Sequence, residues 1–118
     1  VALSPSQIER YARHILLDEV GAGGQERLLG ASIRLRGAGL AAEEAARYLS
    51  AAGVGTLVLD RALLDDQGRA LGDLNPEVRL LAQGETHTTL ELADDPSRLR
   101  GARAALESLV AIAVGGAS

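Results

Sequence analysis

Ser32-Ile33-Arg34-Leu35-Arg36-Gly37-Ala38-Gly39-Leu40-Ala41-Ala42-Glu43-Glu44 leads through an alanine-rich run to Gly53-Val54-Gly55-Thr56-Leu57-Val58-Leu59-Asp60. Ser32 to Arg36 alternates like a strand and stops at a Gly-x-Gly turn. Leu40 to Ala52 has helical composition and ends at Gly53, a residue that tolerates the left-handed cap conformation. Thr56 to Leu59 reads as a second strand, stopped by Asp60. Together these segments predict a βαβ unit with a glycine turn after its first strand, the opening of a Rossmann-like α/β domain. A central strand of a doubly wound sheet is apolar throughout. Here Arg34 and Arg36 alternate with Ile33 and Leu35, so one sheet face is expected to be open to water or covered by acidic groups.

Upstream, Ser4-Pro5-Ser6-Gln7 is a helix start with a capping box and proline at the first helical position. Ile8, Tyr11, Ala12, Ile15 and Leu16 follow at helical spacing, with Arg10, Arg13 and His14 on or beside the opposite face. Gly21 to Gly24 are expected to break this helix, and Gln25 to Leu29 to form a further short turn. Downstream, Arg61 to Asp73 shows no clear period and is expected to be a loop with a short helix. Asn75-Pro76 is a turn. Val78 to Ala82 and Thr86 to Leu92 are strand candidates, joined through Gln83-Gly84-Glu85 as a hairpin. Asp95-Pro96 opens a last helix that runs to about Val114. The expected architecture is one domain over 1–118. Residues 1–30 form an N-terminal helical arm, and 31–118 an α/β core with three to four strands and helices mostly on one face.

The composition narrows the function classes. The chain of 118 residues has no Phe, Trp, Met or Cys, and Tyr11 and Tyr48 are its aromatics. A core must come from Leu, Ile, Val and Ala. A domain of this size buries roughly two thirds of its unfolded surface, so that is feasible. Without Cys there are no disulfides, thiolate metal sites or cysteine nucleophile. His14 and His87 are far apart and have no third ligand at metal spacing. Asp65-Asp66 and Asp94-Asp95 read as a loop and a helix cap. No metal is expected. All positive charges are Arg, and the net charge of −4 is spread along the chain. Nucleic acid is therefore not an expected partner. The longest apolar run, Leu109 to Val114, is too short for a bilayer, and no secretion signal is visible. The expected location is cytoplasmic.

Residues 3 to 60 resemble the ThiF/MoeB/HesA family of adenylyltransferases, which are related to ubiquitin-activating enzymes. The resemblance runs through Arg10-Tyr11-Ala12-Arg13-His14-Ile15-Leu16, Gly24-Gln25 with Leu28, and Gly37-Ala38-Gly39. It continues through Tyr48-Leu49 and Ala52-Gly53-Val54-Gly55-Thr56-Leu57 to Asp60. Leu74-Asn75-Pro76-Glu77-Val78 resembles a later family segment, and Ala104 to Gly116 resembles the closing helix more loosely. Much of the family's length is absent between Asp60 and Leu74 and again after Ala82. The resemblance implies a shortened Rossmann-like fold, ATP as ligand, a ubiquitin-like sulfur carrier as substrate, and dimers. It also implies roles for four residues. Gly37 and Gly39 would form the phosphate turn. Asp60 would hold the ribose, or merely end the strand. Arg13 would reach across a dimer to the partner's nucleotide, or simply sit in solvent.

The departures from the family pattern point away from catalysis. Where the family has Gly-x-Gly-Gly-Leu-Gly-Ser, this chain has Gly37-Ala38-Gly39-Leu40-Ala41-Ala42-Glu43. Leu40 puts bulk where the backbone must approach phosphate. Glu43 and Glu44 stabilise a helix N-terminus but repel an anion there. The family's phosphate lysine is missing, because the chain has no Lys. Arg69 is the candidate for its catalytic arginine, but the asparagine expected nearby is missing. Losing even one transition-state donor costs about 100-fold to 1000-fold. The sequence thus predicts a non-catalytic binding or dimerisation module with no catalytic residues and no cofactor. Its expected partner is a second copy, or else a complete family member or a sulfur carrier. The alternative is residual binding of ATP or another adenine nucleotide, or adenylyltransferase activity on a sulfur carrier.

Overall fold

A computed structural model describes residues 21–113. Its elements in chain order are α1 (Gly21–Leu29), β1 (Ser32–Gly37), α2 (Leu40–Ala52), β2 (Thr56–Leu59), α3 (Arg61–Leu74), β3 (Arg79–Leu81), β4 (Thr88–Ala93) and α4 (Arg98–Ala113). The four strands form one parallel sheet in the order β3-β2-β1-β4. This is the strand order of the first part of a Rossmann sheet, with the order reversing between β1 and β4.

The glycine-turn stretch folds as its pattern indicates. Ile33 and Leu35 are fully buried, while Arg34 and Arg36 lie on the other face. Leu57 and Leu59 of β2 lie beside them and are also buried. Helix α2 packs between α3 and α4, so these three helices share one layer over the Ile33/Leu35 face. The core between layer and sheet is built from Leu, Ile, Val and Ala. At the end of α2, Gly53 takes the left-handed conformation (φ 101°), and its N–H is shared between the Leu49 and Ser50 carbonyls. Ser50 is buried and donates its hydroxyl to the Leu71 carbonyl at 2.9 Å, which ties α2 to α3.

Three local expectations are corrected. First, residues 61–74 form one 14-residue helix and not a loop with a short helix. Only Leu63 and Leu71 are buried in it, two turns apart. Gly68, Gly72 and the exposed Asp65-Asp66 dilute the apolar period between them. Second, Gly21 to Gly24 are themselves helical, as the first residues of α1. Leu28 is fully buried in the main core, so this part of the 1–30 segment packs as part of the domain. Residues 1–20, including Ile8, Tyr11, Arg13 and His14, lie outside the described residues.

Third, β3 and β4 do not form a hairpin. They lie on opposite edges of the sheet, and residues 82–87 cross between them over the face opposite Ile33 and Leu35. Gly84 rests over Val58 and Leu81 on that face. Arg34 donates to the Gly84 carbonyl at 2.7 Å. Val58 is only 1% exposed. The two strand arginines thus find partners within the chain: Arg34 the connector, and Arg36 an ion pair with Glu91 at 3.5 Å. The hairpin reading failed because a short Gly-containing link fits either topology. The register of β4 on β1, with Leu35 beside Leu90, is a long-range choice.

Candidate functional site

The strand ends that could hold a ligand are the C-terminal ends of β1, β2 and β4, where the strand order reverses. Gly37 ends β1 at a register shift opposite Ala93. Its φ is +127°, and a Cβ there would collide with the Ala93 carbonyl. Only glycine fits such a place without strain. Ala93 itself has φ 48°, an uncommon conformation for a non-glycine residue. Asp60 follows β2 and caps α3 by position, yet makes no side-chain cap bond to it. Its carboxylate instead accepts the Gly37 N–H at 2.8 Å. The structure therefore brings Gly37, Gly39 and Asp60 together, as the sequence motif requires.

It also brings in a segment that sequence reasoning read only as a helix cap. Residues 94–97, between β4 and α4, lie against the glycine turn. Gly39 is the N-cap of α2, and a Cβ on it would come within 2.7 Å of the Asp94 carbonyl carbon. The Ala41 N–H in the first turn of α2 donates to the Asp95 carbonyl at 3.0 Å. Glu43 N–H returns to the Gly39 carbonyl at 3.1 Å. The Asp95 carboxylate accepts the Ser97 N–H at 2.8 Å and pairs with Arg100 at 3.0 Å. Nothing local in the sequence marked this contact, because it depends on β4 lying beside β1.

The charges around the turn are paired within the chain. Glu44 is buried; Arg47 donates to it at 2.7 Å, and Arg98 stands 3.7 Å from its other oxygen. Arg98 also lies 3.6 Å from Glu43. Arg98 thus joins the start of α4 to the start of α2. Just beyond it, Gly101 packs so tightly on α2 that a Cβ would collide with the Ala41 carbonyl.

The other candidate residues lie elsewhere. Arg69 is exposed on α3, nine residues beyond Asp60, or about 13 Å along a helix. Asp65 and Asp66 are exposed on the same helix. His87 sits beside Ser32, at the opposite end of β1 from the glycine turn. Among the described residues no group of three or more His, Cys, Asp and Glu side chains is placed to hold a metal ion. A cavity of about 280 Å³ is lined by Glu26, Leu29, Gly53, Asn75 and Glu77, at the N-terminal end of the strands. A smaller one of about 100 Å³ lies beside Tyr48 and Leu74. Among the described residues no helix is long and apolar enough to cross a membrane.

A parallel sheet in this order, with a glycine turn after β1 and an acid after β2, defines a Rossmann-type α/β domain. No family model matches the chain. Individual proteins do. The chain is 48% identical over 59 residues to SAMP-activating enzyme E1 of Haloferax volcanii, covering 50% of this chain and 22% of that protein. It is 40% identical over 72 residues to Protein HesA, heterocyst, of Trichormus variabilis, covering 58% and 27%. It is 33% identical over 111 residues to the sulfur carrier protein ThiS adenylyltransferase of Escherichia coli, covering 75% and 44%. The chain belongs to the ThiF/MoeB/HesA family. It spans less than half the length of each of these relatives. The 111 aligned positions also exceed three quarters of a 118-residue chain, so the Escherichia coli protein has residues inside the match that have no counterpart here.

Proposed function

We propose that this domain is a non-catalytic member of its family that serves as a binding or dimerisation module. One observation carries the reading. The Asp95 carbonyl takes the Ala41 amide in the first turn of α2, and Asp94 and Asp95 crowd Gly39. In a working phosphate turn those amides face the ligand. Here the chain's own backbone stands against them. The charges support the same reading: Glu43 and Glu44 lie at this helix end, and their arginine partner Arg98 is already engaged. The chain has no lysine to place on a phosphate. These residues do not fit a triphosphate.

The expected partner is a second copy, with a complete family member or a ubiquitin-like sulfur carrier as further candidates. The names of the relatives, a ThiS adenylyltransferase among them, motivate the carrier. The setting proposed is cytoplasmic. A second reading, residual binding of an adenine nucleoside, is favoured by Asp60 alone. Gly37 orients its exposed carboxylate at the end of β2, where a ribose could meet it.

Calorimetry separates the two. With millimolar ATP-Mg²⁺ and with AMP, the first reading expects no binding heat, and pyrophosphate exchange with a sulfur carrier stays at background. Saturable heat with AMP that Asp60→Ala abolishes would establish the second reading instead. Exchange above background would overturn the non-catalytic assignment.

A further inference from the structure

We draw no further inference here: the strongest candidate, the cavity of about 280 Å³ beside Leu29 and Asn75 at the N-terminal end of the strands, rests on the exposed carboxylates of Glu26 and Glu77 alone, and nothing in the structure shows what covers it.

Discussion

Gly101 and Gly72 both sit inside helices but differ in what a methyl group would meet. At Gly101 a Cβ collides with the Ala41 carbonyl, whereas at Gly72 nothing lies within 4 Å. Gly101→Ala must push α4 away from α2, and overpacking of this kind costs about 1–3 kcal/mol. We expect the melting temperature to fall by roughly 4 °C or more per kcal/mol, read by thermal denaturation. Gly72→Ala should instead stabilise by about 0.5–1 kcal/mol, by removing unfolded-chain freedom and improving helix propensity. Ser50→Ala removes a buried bond to the Leu71 carbonyl and should cost about 1 kcal/mol in urea unfolding. At this scale the motif residues Gly37, Gly39 and Asp60 were legible, because their spacing is set by one local βαβ unit. The packing demand on Gly101 was not legible, because it depends on a helix 60 residues away.

The elements differ in how far local pattern could specify them. β1, α2 and β2 follow directly from alternation, composition and cap residues. α3 was hidden by its two glycines and its sparse apolar face; packing of Leu63 and Leu71 on the core holds it helical. The 82–87 connector was misread for the opposite reason: its turn chemistry was right, but its route was not. Its hold on the sheet includes the Arg34 bond to Gly84. Arg34→Ala should cost under about 1 kcal/mol, since the arginine is only partly buried. It should still speed amide exchange across 83–87 and expose Val58, as hydrogen exchange with mass spectrometry would show. Unchanged exchange there would mean that apolar contact alone holds the connector. Glu44 couples α2 to α4 through Arg98 and packs beside Arg47. Glu44→Ala should destabilise more than the exposed Glu91→Ala, because the Glu44 side chain is 7% exposed and that of Glu91 69%. Chemical denaturation of the two variants side by side checks the order.

For the molecule as a whole, one contiguous core runs from Leu28 through the sheet to Leu109. We therefore expect one cooperative unfolding transition, with tyrosine fluorescence and far-UV circular dichroism giving the same midpoint. Two separated midpoints would show that the core does not act as a unit. Composition, family membership and the βαβ start were determined by the sequence itself. Each rests on residue type or on spacings of a few residues, where backbone geometry leaves little choice. Tertiary structure alone decided which edge β4 joined, and therefore that the Asp95 carbonyl lies against the first turn of α2. Parallel strands can be paired in any order that their connections span, and no neighbouring residue records which edge was taken. That choice follows from which apolar faces can be buried together.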